Sequence, residues 1–386
     1  MSVTAAKGFV AGATDCGIRK ENRLDLAIVH SLVPATGAGM FTVNRMQAAP
    51  VTVCKEHLEH AQPRAIVANS GVANAATGEQ GIADARATAA ATASKLGIAP
   101  EQVLVLSTGV IGAPLPVDKI VAGIEAIELG DDGGNAAAEA ILTTDTGSKQ
   151  VARSPRGFTV GGMAKGSGMI HPMMATMLAV VTTDYPLDDG EAIAFLRPAV
   201  DVSFNAISVD GECSTNDTVI LLANGASGIE RTAEADAAFA ATLRAVCGEL
   251  AKQIVADGEG ATVLAEIAVR GAVDNGEARA IAERVATSPL VKTALYGHDA
   301  NWGRIAAAAG SAKHNGGFAA LDPDKLSIVI DGVPVLVDGL PSGNEPALTN
   351  GHCAIEIDLA LGDGVASYMT SDLSYDYVRI NAEYRS

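Results

Sequence analysis

The chain is predicted to be an α/β protein of layered, mixed β-sheets flanked by helices, and three observations predict it. Short β-like runs alternate with alanine-rich helical runs from end to end. Apolar residues make up 48% but aromatic ones only 4%, so the core must be built from aliphatic and small side chains. The alternation also lacks the regular βαβ period and the glycine-rich first turn of a dinucleotide fold, which points away from an all-parallel sheet. At 386 residues the chain exceeds the roughly 250–300 residues that one core supports, so a second, C-terminal α/β lobe is expected over roughly 263–386.

The elements follow in order. Ala65–Asn69 (AIVAN) and Val103–Ser107 (VLVLS) read as buried strands. Ile82–Leu96 between them reads as a helix stopped by Gly97. Asn135–Leu142 reads as a short helix, followed by Thr143-Thr144-Asp145. Strand-like Phe158–Val160 leads into the segment Gly161–Ala175, and Thr176–Thr182 (TMLAVVT) reads as a clear strand. Thr232–Ala256 is the longest helical stretch, with Phe239, Leu243, Val246, Leu250 and Ile254 on one stripe at spacings of three and four. Further β-like runs lie near Val263–Val269, Leu326–Ile330, Val333–Val337, Ala354–Leu359 and Tyr377–Ile380.

Charge and cysteine usage narrow the class. With 45 acidic and 27 basic side chains the formal charge is −18, which argues against a nucleic-acid or anionic-membrane partner, since both need local positive charge. The five cysteines are widely spaced and include no CxxC pair, as expected of reduced thiols in a cytoplasmic protein. No apolar stretch is long enough for a signal peptide or a membrane span.

Several motifs fail on inspection. In Gly161–Gly168 (GGMAKGSG) the lysine precedes the glycine it should follow in a phosphate-binding loop. There is no HExxH and no GxSxG. His57 and His60 lie one helical turn apart but have no third ligand nearby, so they read as an exposed pair on a polar helix and no metal is expected. Asn216-Asp217-Thr218 matches a glycosylation acceptor, which has no meaning in the cytoplasm.

One segment carries chemistry: Lys165–Leu178, KGSGMIHPMMATML. A glycine stretch, a proline and three methionines lead into a threonine that opens an apolar strand. If the Ala175–Thr176 bond is cut, the new α-amine, titrating near pKa ~7.7–8.0, lies beside the Thr176 hydroxyl and can act as its general base. The cut can be intramolecular, through an N→O acyl shift at the Ala175 carbonyl followed by hydrolysis. Ala-Thr occurs nine times in the chain, so the dipeptide alone is unspecific.

The segment resembles the processing and nucleophile region of the ornithine acetyltransferase family, the bifunctional glutamate N-acetyltransferases of arginine biosynthesis. The likeness continues in family order through NSGVANAATG (69–78), STGVIG (107–112), LTTDT (142–146), STNDT (214–218), DGEGAT (257–262), SPLVKTALYGHDANWGRI (288–305) and a C-terminal INAEYRS. The resemblance implies a fold of the L-aminopeptidase/D-esterase–ornithine acetyltransferase type, an N-terminal-nucleophile fold. It implies autoproteolysis between Ala175 and Thr176, giving chains 1–175 and 176–386 that assemble as an α2β2 heterotetramer. Thr176 becomes the acetyl-carrying nucleophile, Thr108 and Gly109 the oxyanion hole, and Thr143, Lys165, Thr176, Glu259, Asn381 and Ser386 the substrate site. The substrates implied are N-acetyl-L-ornithine and L-glutamate, with no cofactor and with acetyl-CoA as a second donor if the enzyme is bifunctional. The competing expectation is an amidohydrolase or aminopeptidase with the same nucleophile, water replacing glutamate. The chain departs from the family at Met173, where Asn is frequent, and at Ser386, where Thr is commoner; His171 is read as structural.

Overall fold

The computed structural model describes residues 2–19, 22–171, 177–348 and 351–383. Its centre is a four-layer stack of helices, sheet, sheet and helices. The first sheet has the strand order Phe9–Thr14, Leu26–Ser31, Ala65–Val72, Val103–Val110. Its last pair is parallel and the other two are antiparallel. The second runs Thr36–Phe41, Thr218–Ala223, Leu178–Thr183, Val160–Lys165, Lys149–Arg153, with only the Thr218–Ala223/Leu178–Thr183 pair parallel. Both sheets are mixed, as expected.

Side-chain alternation along these strands builds the layers. Leu26, Ile28, Val67, Val103 and Val105 face the helices Gly78–Leu96 and Val117–Ala126 through Ala89, Ala93, Ile120 and Ile124. Their neighbours Val29, Ile66, Leu104 and Leu106 face the second sheet through Met163, Leu178, Val180 and Ile220. The far side of the second sheet presents Val160, Ala179, Val181, Val219 and Leu221 to the helix Ala233–Ala256. That helix is capped by Thr232, whose hydroxyl accepts the Ala235 N–H at 3.1 Å. All five residues of the expected stripe are buried, each worth about 1.5–3 kcal/mol relative to exposure. Gly97 ends the helix Gly78–Leu96 in the left-handed conformation (φ 66°).

A third, seven-stranded sheet holds Leu264–Ala272 between His352–Asp358 and Gly364–Ser371, and packs against the helices Asn275–Ala286, Pro289–Tyr296 and Trp302–Ala309. Among the described residues no helix is long and apolar enough to cross a membrane.

Three expectations are corrected. The strand read at Phe158–Val160 instead runs Val160–Lys165, through the glycines, because the absence of side chains lets Gly162 lie beneath Leu250 of the covering helix. Tyr377–Ile380 is not a strand but part of the helix Tyr375–Glu383, started by Ser374, whose hydroxyl accepts the Tyr377 N–H at 3.2 Å. His57 and His60 lie on the helix Ala49–His60 but are not an exposed pair. That helix packs on the strand Val103–Val110, so His57 is buried with Nδ1 2.8 Å from the Val103 carbonyl, while only His60 is exposed.

Candidate active site

The carboxyl end of the strand Val103–Val110 opens one side of a cleft of about 600 Å³, measured out to its mouth. Thr108 and Gly109 lie there, paired with Ser70 and Gly71 of the parallel neighbour. Gly109 has φ +129° and Gly71 φ +105°. A Cβ on Gly109 would sit 2.7 Å from the Val72 nitrogen and closer still to the Gly71 carbonyl. Only glycine permits this approach.

The opposite strand, Val160–Lys165, ends in Lys165, which is 2% exposed. Its ammonium donates to the Thr143 hydroxyl at 3.2 Å. Burial pushes the Lys165 pKa down; Asp145, Asp217 and Glu259 pull it back up, while Lys149 pushes it further down. Thr143 follows the helix Gly134–Ala140, and Arg19 fixes the backbone beside it by donating to the Leu142 carbonyl at 2.7 Å.

Glu259 stands on the loop after the helix Ala233–Ala256, held by its N–H to the Ser167 carbonyl at 2.8 Å. Its carboxylate lies over Gly168, where a Cβ would come within 2.6 Å of Oε1. Asn381, on the last helix, donates its amide to Glu259 Oε2 at 2.8 Å. Ser374 ties the start of that helix down by donating to the Gly260 carbonyl at 2.6 Å.

Thr108, Gly109, Thr143, Lys165, Glu259 and Asn381 therefore all line one cleft. Ala175, Thr176 and Ser386 lie outside the described residues. Met177, the residue after Thr176, donates its N–H to Asp217 Oδ1 at 3.0 Å. His171 does not line the cleft: its Nδ1 is 3.4 Å from the Ser208 hydroxyl and its Nε2 3.6 Å from Glu283, and burial lowers its pKa.

Sequence reasoning gave the turn Ser214–Thr218 no place in the site: it was quoted as part of a resemblance, and its Asn216-Asp217-Thr218 only as a glycosylation match. Ser214, Thr215 and Asn216 line the cleft. Asn216 is 5% exposed and donates to the Ser107 carbonyl at 2.8 Å and the Ala73 carbonyl at 2.7 Å, fastening the turn to the first sheet. So enclosed, it cannot serve as a glycosylation acceptor. Asp217 is fully buried, and that burial raises its pKa well above the usual range despite the Met177 N–H and the Lys165 charge. Asp210 was missed too. Its carboxylate accepts the N–H groups of Met169 and Ile170, with Met169 at φ +56°. The only signal for these residues is polar side chains buried without apolar compensation, which appears once the fold exists.

A strand end carrying a hydroxyl and a glycine peptide, a buried ammonium and a carboxylate on one cleft can hold a small zwitterionic molecule. Comparison with known proteins gives the class. The chain is 46% identical over 412 residues to the arginine biosynthesis bifunctional protein ArgJ of Thermosynechococcus vestitus, covering 99% of this chain and 97% of that one. It is 47% identical over 397 residues to the protein of the same name from Syntrophotalea carbinolica, covering 98% and 99%. A crystal structure of ornithine acetyltransferase complexed with ornithine, from Mycobacterium tuberculosis, is 43% identical over 44% of this chain and 94% of its own, with a TM-score of 0.43. The chain is an acyltransferase of arginine biosynthesis. Residues 10–386 match the ArgJ family model, and the chain belongs to the ArgJ family.

Proposed function

We propose that the cleft transfers the acetyl group of N-acetyl-L-ornithine to L-glutamate through an acetyl-Thr176 intermediate, in the cytoplasm, after the chain has cut itself between Ala175 and Thr176. What supports this reading is the convergence of six side chains and backbone groups from five separate stretches of sequence on one cleft. The Thr176 hydroxyl attacks the acetyl carbonyl and its proton passes to the Thr176 α-amine. The oxyanion rests between Thr108 and the Gly109 N–H. The C–N bond breaks, the departing α-amine of ornithine takes the proton, and the acetyl group stays on Thr176. L-glutamate then enters and its amine repeats the sequence in reverse.

Lys165 is suited to the α-carboxylate that both substrates share, and Glu259 to the δ-ammonium of ornithine. Acetyl-CoA is a second donor in the bifunctional form of this scheme, and no metal or organic cofactor takes part. The products of the cut, 1–175 and 176–386, assemble as an α2β2 heterotetramer.

The test is the intact mass of the purified protein together with Thr176→Ala. The expected result is two chains, the second beginning at Thr176, and a variant that stays uncut and transfers no acetyl group. A Thr176→Ala chain that is still cut or still active would overturn the nucleophile assignment. Consumption of N-acetylornithine that does not accelerate with added glutamate would favour the hydrolase.

A further inference from the structure

Asp145 lies behind the cleft, is buried, and receives hydrogen bonds from every side. Its Oδ2 accepts the Thr143 N–H at 3.0 Å and the Thr143 hydroxyl at 3.4 Å. Its Oδ1 accepts the Gly166 N–H at 2.7 Å and the Lys149 ammonium at 2.6 Å. Thr143 and Gly166 are the two neighbours that fix Lys165: the first accepts its ammonium and the second follows it in the chain. A threonine hydroxyl has one proton and two lone pairs. Donating that proton to Asp145 turns its lone pairs toward Lys165, so the chain Lys165 Nζ–H to Thr143 O–H to Asp145 carboxylate has one direction.

We propose that Asp145 is the positioning residue of the substrate-carboxylate site, aiming the Lys165 ammonium into the cleft and keeping it cationic there. This deepens the reading of Lys165 given above and rests on it.

The charges around Lys165 single out Asp145. Three carboxylates face it from three elements: Asp145 from the segment after the helix Gly134–Ala140, Asp217 from the turn Ser214–Thr218, and Glu259 from the loop after the helix Ala233–Ala256. Lys149, at the start of the strand Lys149–Arg153, opposes them and is itself shared with Asp257. Glu259 is engaged by Asn381, and the reading given above assigns it to the substrate ammonium. Burial drives Asp217 toward its protonated form. Burial pushes Asp145 the same way, but the charges of Lys165 and Lys149 outweigh it and bring its pKa to about 2. Asp145, bonded directly to Thr143 and Gly166 on either side of Lys165, is thus a negative charge that stands at every working pH. Without it, a lysine removed from water loses its proton readily.

The test is steady-state transfer from N-acetyl-L-ornithine to L-glutamate between about pH 6.5 and 9.5, for wild type, Asp145→Asn, Lys165→Gln and the double variant Asp145→Asn/Lys165→Arg. The Thr176 amine titrates in the same range in all four, so the difference from wild type carries the information. Asp145→Asn is expected to raise KM for N-acetylornithine on the order of tenfold near neutrality, with kcat changed far less. Its KM climbs with pH from a lower starting point than in wild type, and the double variant removes that climb because a guanidinium stays charged.

An Asp145→Asn enzyme with wild-type KM and pH profile overturns the inference while Lys165→Gln still raises KM. A Lys165→Gln enzyme with wild-type KM overturns the carboxylate site itself, and the inference with it. Should Asp145→Asn yield no folded protein, Asp145→Glu keeps the charge but displaces it. The expected result is then a raised KM with the wild-type pH profile, and an unchanged KM overturns the positioning role.

Discussion

Asn381 donates its side-chain amide to Glu259 Oε2 over 2.8 Å, so the last helix of the chain forms a wall of the cleft. Terminal segments ordinarily fray unless tied down; here Ser374 and Asn381 are the ties. Asn381→Ala should leave Glu259 free to swing and raise KM for N-acetylornithine about fivefold, with a smaller effect on kcat. Steady-state kinetics check this, and an unchanged KM would separate the helix from substrate binding.

Gly168 makes a sharper test of the same carboxylate. A methyl group there meets Glu259 Oε1 at 2.6 Å, the movable tip of a side chain rather than backbone. Gly168→Ala should therefore fold with a melting temperature close to wild type but push the carboxylate aside. KM for N-acetylornithine should rise about tenfold, while KM for glutamate, which brings no ammonium to that end, changes less. Equal effects on both substrates would sink the assignment of Glu259 to the δ-ammonium.

At Gly109 the obstacle is backbone. With φ +129° and the Gly71–Val72 peptide against it, Gly109→Ala must bend the strand end, at about 1–3 kcal/mol of strain. The N–H then leaves the spot where the oxyanion is proposed to form, and kcat should fall by roughly 10²–10³. Thr108→Val, which keeps shape but loses the hydroxyl, should lower kcat comparably without the strain. If kcat survives in both variants, the oxyanion pair lies elsewhere.

Lys292 predicts a pH dependence of stability away from the cleft. Its ammonium is buried, donating to the Thr370 hydroxyl at 2.9 Å and to the Ser371 carbonyl. Burial brings its pKa to about 8 despite the attraction of Asp372 and Asp210. In the unfolded chain it holds its proton to about pH 10.4. Between those values the unfolded state binds more protons, so this group makes stability rise with pH. The stability of wild type relative to Lys292→Met should grow by up to about 3 kcal/mol between pH 8 and 10.5. Urea unfolding at the two ends of that window measures it, and a constant difference would mean that Lys292 is not desolvated.

What could be read before folding was the part governed by local rules. The stripe Phe239, Leu243, Val246, Leu250, Ile254 declares a helix because one face must be buried, and all five are. Gly97 announces a helix end because the left-handed conformation there suits glycine. Gly161 and Gly162 misled because strand propensity is carried by β-branched and aromatic side chains, whereas here two layers close over a bare backbone. Tyr377, Val378 and Ile380 misled in the opposite sense. Val378 is 62% exposed, so nothing in a core holds it; the cap at Ser374 and the anchor at Asn381 decide the helix.

The site divides the same way. Thr108, Thr143, Lys165, Glu259 and Asn381 could be named from ordered motifs, but their meeting in one cleft could not. Asp145, Asp210, Asn216 and Asp217 act through backbone groups distant in sequence or across a turn. No spacing rule selects such partners.

The order of the second sheet bears on how this protein can be made. Its strands alternate in origin about residue 175: Thr36–Phe41 from before it, Thr218–Ala223 and Leu178–Thr183 from after it, then Val160–Lys165 and Lys149–Arg153 from before it again. Made as two separate polypeptides, each part would carry bare hydrogen-bonding edges into the cell before meeting the other, a standing invitation to aggregate. Synthesis as one continuous polypeptide lessens that hazard, because the strands on either side of each seam are mates within the same molecule. A scission after residue 175 would then leave two pieces that cannot drift apart or exchange without peeling the sheet open along two seams.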